Sequence, residues 1–260
     1  MEKTREVTEM QNLKFDHIIH YIKHIDEFQY PGEILKVVPG GLHNRYATHN
    51  KLAYTDLAYI EIIGVSDEEK LKKVIKTNEG RVSFVAKIVQ DNFKQGFKAF
   101  ALRTDNIEKL KTELEAKGVD TVGPLQMGRE NKRGEQTSWQ LLYLNQPNSD
   151  LKPPFFIQWS KSEEEREESL KSKFQPEFEI KAIEVHTTNK NQVVNQWRDW
   201  FDMEVKSSDE DVTILSLPNE KIEFRIRKAR KNGYDIVIQD KETDAPYNIT
   251  TRGAEYHFVP

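Results

Sequence analysis

FDHIIHYI, residues 15–22, is a short run rich in isoleucine and aromatic side chains, and it reads as a β-strand. Strand alternation puts His17, Ile19 and Tyr21 on one face and Ile18 and His20 on the other, so His17 and His20 cannot line the same cavity. Five of the seven histidines (His17, His20, His24, His43 and His49) fall within the first forty-nine residues. Imidazole is the side chain best suited to moving protons or binding metals near neutral pH. A second apolar run, AYIEII (58–63), carries Glu61 on the same face as Tyr59 and Ile63. A carboxylate in such a run either faces solvent or is paired inside, because an unpaired buried charge is costly.

Further along the chain, the same order of elements recurs. FKAFALRT (97–104) reads as a strand, and NIEKLKTELEAKG (106–118) as a helix capped by Asn106 and ended by Gly118. Strands are expected over 125–129, 137–144 and 154–159. A third unit has a strand at 180–187, a helix at 192–202 carrying Val194, Trp197 and Phe201 at helical spacing, and strands at 212–217, 221–227 and 235–239. Each unit opens on a strand and ends in an apolar one (AYIEII, PFFIQW, KIEFRI), a weak βαβββ repeat. Alignment of the units superposes His17, Ala99 and Ala182, and likewise Glu61, Gln158 and Glu223. Between 64 and 97 a helical connector is expected, starting at Ser66-Asp67-Glu68-Glu69 with serine as the cap. Residues 161–178, KSEEEREESLKSKFQPEF, are dense in charge and read as a linker or solvated helix. The fold class is therefore α+β: two modules (14–64 and 97–160) paired in an N-terminal domain after a polar extension (1–13), then a third module over 179–260.

Composition narrows the function. At 260 residues there is ample material for a core, and with 32% charged residues but a net charge of −4, nucleic acid is not an expected partner. No cysteine is present, which excludes disulfides, thiolate metal sites and cysteine nucleophiles. The polar start MEKTREVTEMQNLK and the lack of a long apolar run suggest a cytoplasmic protein with no membrane partner.

DHIIHY (16–21), GGLHNRYATHN (40–50), YIEIIG (59–64), FALRTDNIEKL (100–110), GRENKRGEQTSWQL (128–141) and PPFFIQW (153–159) together resemble the glyoxalase-like domain family of the vicinal oxygen chelate superfamily. That resemblance covers about 14–160. It implies cup-shaped mixed sheets around a cavity, with a divalent metal (zinc, iron, manganese or nickel) that chelates two substrate oxygens as a Lewis acid. His17 and Glu61 match the ligand positions, whereas Ala99 and Gln158 stand where the second module would supply the others. Two protein ligands are fewer than the three usual for a catalytic zinc. The resemblance therefore allows two functions: a metal-assisted lyase, isomerase or dioxygenase acting on a small oxygenated molecule, or a metal-free protein that sequesters one.

In the first reading Glu61 is ligand or general base, and His49 orients the substrate. Substrate contacts are expected from His43, Asn50, Tyr21, Arg129, Trp139 and Gln158, with Trp159 as an apolar wall. Lys132 and Arg133 share the turn near Arg129. A second site at His186 and Glu223 is conceivable, although His186 aligns with Tyr21 and not with His17. An odd number of modules leaves one unpaired, so a homodimer is expected.

Overall fold

A computed structural model describes residues 12–130, 136–149 and 151–260. Lys132, Arg133 and most of the GRENKRGE turn lie outside the described residues, as does nearly all of the polar extension.

The first module contains β1 (Lys14–Tyr21), β2 (Val38–His43), β3 (Thr48–Tyr54) and β4 (Tyr59–Val65). In it β1 runs parallel to β4, and β3 is antiparallel to both β4 and β2. Two short helices, α1 (Glu68–Val74) and α2 (Phe84–Gln90), lead to the second module. The cap of α1 is Asp67, which accepts from the Lys70 amide, one residue later than the serine expected. The second module contains β5 (Gly96–Arg103), α3 (Ile107–Ala116), β6 (Thr121–Glu130), β7 (Gln136–Leu144) and β8 (Phe155–Trp159). Asn106 caps α3 by accepting from the Lys109 amide, and Gly118 ends it at φ +79°, as the sequence predicts.

The two modules form a closed eight-stranded barrel in the order β1-β4-β3-β2-β6-β7-β8-β5. An extended ladder joins β1 to β5 on one side. On the other side, among the described residues, β2 meets β6 through the pair Leu42↔Glu130. Strand β2 is absent from the sequence reading because Pro39, Gly40 and Gly41 look like loop. Gly40 lies beside a bulge opposite Asn50, where a Cβ would sit 1.9 Å from Asn50 Oδ1.

A helix, α4 (Glu163–Leu170), follows the barrel, and then come β9 (Phe178–Thr187), α5 (Lys190–Phe201), β10 (Glu204–Ser208), β11 (Val212–Ser216) and β12 (Glu223–Lys228). Three more strands, β13 (Gly233–Asp240), β14 (Tyr247–Thr251) and β15 (Ala254–Val259), complete a seven-stranded sheet, β10-β11-β12-β9-β13-β15-β14. The antiparallel β9–β13 ladder repeats the β1–β5 join, so the third module has a partial partner within its own chain. This removes the premise on which a dimer was expected.

Strand parity sorts the core into two. Ile19, Tyr21, Ile63, Ala99, Ala101 and Phe155 fill the barrel. Ile18, Ile22, Phe100 and Leu102 point outward and pack with Ile183, Val185, Phe224 and Ile236 of the second sheet. His20 takes part in this second core. Its Nδ1 lies 2.8 Å from the Tyr256 hydroxyl and its Nε2 lies 3.2 Å from the Arg252 carbonyl.

The 161–178 segment is not a loose linker. A capping box between Ser162 and Glu165 and three acids in its first turn start α4. Glu163 accepts from Lys14 Nζ at 2.6 Å and from Arg103 Nε at 2.5 Å, which clamps the helix to β1 and β5. Leu170 and Phe174 then cover Tyr54 and Tyr59 at one end of the barrel.

Candidate functional site

The register of β1 against β5 slips between Phe15 and His17, so Asp16 is an extra residue in the ladder. That bulge turns the side chains of Asp16 and His17 toward each other, which simple alternation would forbid. Asp16 Oδ1 lies 2.7 Å from His17 Nδ1. Since a carboxylate can only accept, His17 carries a proton on Nδ1 and presents Nε2 to the cavity. Nε2 is 3.4 Å from Glu61 Oε2. The His17 ring stacks on Tyr59 at 4.7 Å and meets Phe155 edge-on at 5.6 Å.

Asp16 is fully buried and has two further partners. Trp159 Nε1 donates to its Oδ2 at 2.9 Å, and Arg166 Nη2 stands 3.6 Å away. Burial pushes its carboxyl up, but the bond to His17 and the charges of Arg166, His17 and Arg103 outweigh that and hold it below the usual carboxylate range.

Glu61 faces the cavity from β4 and is nearly buried. Its Oε1 accepts from Asn50 Nδ2 at 2.5 Å, while Asn50 Oδ1 accepts from the Gly41 amide at 2.9 Å. The bulged glycines therefore hold Asn50, and Asn50 holds Glu61. His43 completes the chain: its Nε2 is 3.5 Å from Asn50 Nδ2 and its Nδ1 is 3.2 Å from the Thr48 hydroxyl. Burial pushes His43 down to about 4, with Glu61 opposing and Arg129 assisting, so its ring is neutral at pH 7.

These groups line a cavity of about 30 Å³ together with Trp139, Arg129, Met127 and Ile157. At about 10–15 Å³ per water, that volume holds two or three water molecules. Trp139 and Trp159, with ring centroids 5.4 Å apart, form an aromatic side of its wall.

Of the site residues the sequence suggests, the structure brings together His17, Glu61, His43, Asn50, Arg129, Trp139 and Trp159. Three others lie elsewhere. His49 points outward from β3, with Nε2 3.4 Å from Asp26 Oδ1, because Thr48 and Asn50 take the inward positions. His43, on β2, occupies the cavity in its place. Gln158 also points outward, and its Oε1 accepts from the Ile107 amide at 2.7 Å, satisfying a free donor at the start of α3. Tyr21 shares the inner face but lies below the cavity against Phe93, its hydroxyl pushed up to about 12 by burial and by Glu68. The conceivable site at His186 and Glu223 does not form. His186 Nε2 pairs with Asp235 at 2.7 Å, and Glu223 with Arg225 at 2.8 Å.

The donor set does not fit a divalent ion. Register pairs His17 with Tyr59 in the first module and Ala101 with Phe155 in the second, so Ala101 and Ile157 are the structural counterparts of His17 and Glu61. The second module thus offers two apolar side chains. Among the described residues, no group of three histidine or carboxylate ligands includes His17 or Glu61. Their other atoms, His17 Nδ1 and Glu61 Oε1, are already bonded. Two protein donors fall short of the three usual at a catalytic zinc site.

The sequence matches the profile of the glyoxalase-like domain family over residues 15–201. The chain belongs to that family. The match runs past the barrel through α4 and α5, further than the motifs at 14–160 reach. A crystal structure of a hypothetical protein from Staphylococcus aureus is 44% identical, with a TM-score of 0.93 over 95% of this chain and 99% of that one. The crystal structure of the Mn(II)-bound glyoxalase from Novosphingobium aromaticivorans superposes with a TM-score of 0.56 over 94% of this chain and 80% of that one. At 10% identity, that second likeness is of fold alone. None of the curated proteins matches the sequence. Among the described residues no helix is long and apolar enough to cross a membrane.

The two neutral histidines of this glyoxalase-like chain make its stability depend on pH. Burial pushes both His20 and His43 from 6.5 to about 4. Because the folded values are depressed, the unfolded chain takes up these protons first. The stability the two histidines contribute is therefore complete above about pH 6.5 and lost as the pH falls toward 4. At pH 5 the loss is expected to be about 2 kcal/mol per histidine, on the order of 4 kcal/mol together. Urea unfolding at pH 7.5 and pH 5 checks this, and equal midpoints at the two values would contradict it.

Proposed function

We propose that the barrel cavity takes a small oxygenated anion and that Glu61 moves a proton on it, in an isomerase- or lyase-type reaction. The observation that carries this reading is the carboxylate of Glu61. It is nearly buried and aimed by Asn50, and its second oxygen lies 3.4 Å from an imidazole nitrogen. Glu61 and His17 Nε2 face each other across a gap that can hold one proton. In the reaction proposed, the ionised Glu61 removes a proton from the carbon beside a substrate carbonyl and returns it to a neighbouring atom. The Glu61 acid is neutral in between. Arg129 lines the cavity, hydrogen-bonds to Tyr54 and biases His43 electrostatically, and among the described lining residues it is the cation that can hold the substrate's negative end. Trp139 and Trp159 supply the apolar wall. No step in this reaction is routed through a metal.

The test is proton exchange in heavy water, followed by NMR, with a panel of small 2-oxo and 2-hydroxy carboxylates and their neutral amides. Wild type is expected to exchange the proton beside the carbonyl of at least one carboxylate. Glu61→Gln should lose about 10²–10⁴-fold of that rate, and Arg129→Ala should weaken binding with little change in the rate at saturation. Exchange that Glu61→Gln leaves untouched would overturn the proposal.

A second reading, sequestration of a small molecule without chemistry, draws on the apolar half of the cavity, where Ala101 and Ile157 stand opposite His17 and Glu61. Ligand-dependent stabilisation that survives Glu61→Gln, with no exchange in wild type, would favour it.

A further inference from the structure

Arg166 sits on α4, in the segment whose composition suggests a linker, yet it is only 5% exposed. Its guanidinium lies 4.4 Å from the centre of the Trp159 ring, with Nη2 3.6 Å from Asp16 Oδ2. Its Nη1 is buried and has no hydrogen-bond partner. For stability alone this is a poor choice. A buried arginine with an unsatisfied N–H carries a desolvation cost, and an apolar side chain of similar volume against Trp159 would avoid it. What the arginine does provide is a fixed position for Asp16. Guanidinium and indole N–H both converge on Oδ2, which leaves Oδ1 for His17 Nδ1 at 2.7 Å. The helix that delivers it is tied down by Glu163 to Lys14 and Arg103.

We propose that Arg166 is a positioning residue for the barrel site: through Asp16 it holds the proton on His17 Nδ1 and thereby aims Nε2 at Glu61. The segment after the barrel is thus part of the site, which accords with a family match that continues through it. The functional consequence rests on the proton-transfer reading above, whereas the structural claim can be read without any substrate.

The test is nitrogen NMR of histidine-labelled protein in wild type, Arg166→Gln, Arg166→Lys and Glu61→Gln. Wild type is expected to show a downfield, slowly exchanging Nδ1 proton on His17. Glu61→Gln should keep it. Arg166→Gln should lose it to exchange with water while the signals of His20 and His43 stay in place, and Arg166→Lys should recover it only in part. Where proton exchange on a substrate is measurable, Arg166→Gln should lower the rate roughly tenfold to a hundredfold with little change in KM. A His17 Nδ1 signal that is absent in wild type, or unchanged in folded Arg166→Gln, would overturn the proposal. If Arg166→Gln does not fold, Trp159→Phe removes the indole donor from the same carboxylate oxygen. The Nδ1 proton should then exchange faster, and an unchanged rate counts against the proposal. Failure to find any substrate would defeat the proton-transfer reading and leave the NMR result standing.

Discussion

Asp16→Ala is expected to lower the unfolding free energy by about 3–5 kcal/mol. Asp16 is fully buried, and three donors converge on it: His17 Nδ1, Trp159 Nε1 and Arg166 Nη2. Removing the carboxylate leaves a guanidinium charge uncompensated in the interior and two N–H groups without acceptors. The size of the effect comes from those stranded partners, not from the value of the ion pair itself. The double variant Asp16→Leu/Arg166→Met should therefore recover most of the loss. Urea unfolding of the two single variants and the double one measures this, and a double variant no more stable than Asp16→Ala would show that the charge was not the cause.

Phe100→Ala should cost about 3–5 kcal/mol by leaving a cavity that rigid neighbours cannot fill. Phe100 leaves the barrel on the outer face of β5, where its ring meets Trp197 at 5.6 Å, Phe224 at 5.5 Å and Tyr234 at 5.5 Å. It is the aromatic pin between the barrel and the second sheet. Calorimetry should show the whole unfolding transition moving to lower temperature, because both sheets share this core. A transition that splits, with only one half shifted, would mean that the two sheets fold independently.

The elements legible in the sequence were those whose pattern is set by local rules. Asn106 and Gly118 bracket α3 as capping chemistry requires, and alternation along FDHIIHYI correctly sends His17 inward and His20 to the face that meets Tyr256. Glu61 stood out as a charge in an apolar strand, and the structure places it in the cavity with His17. The misses have physical causes. Strand β2 is hidden because Gly40 is needed for a close approach to Asn50 and reads as loop. His43 lines the cavity as expected, but His49 turns outward, because the β2–β3 turn, which sets the parity of both strands, leaves no mark in composition. Gln158 aligns with Glu61 when the modules are laid side by side, but pairing β5 with β8 shows Ile157 to be the counterpart. Asp16 was invisible as a partner of His17 because alternation sends neighbours apart, and only a bulge brings them together. Arg166 looked like one more charge in a solvated run. Its burial depends on where α4 lies, and no local pattern reports that.

The barrel is not joined in the same way all round. Among the described residues, seven of its eight joins are ladders of several residue pairs, while the join between β2 and β6 shows the pair Leu42↔Glu130, at the point where β6 reaches the end of the described segment. His43 ends one of these strands and Arg129 lies near the end of the other, so this join lies directly beside the cavity. The two sides of the chamber are thus built differently: His17 and Glu61 stand on β1 and β4, which five residue pairs lock in register, whereas His43 and Arg129 stand near the strand ends of this join.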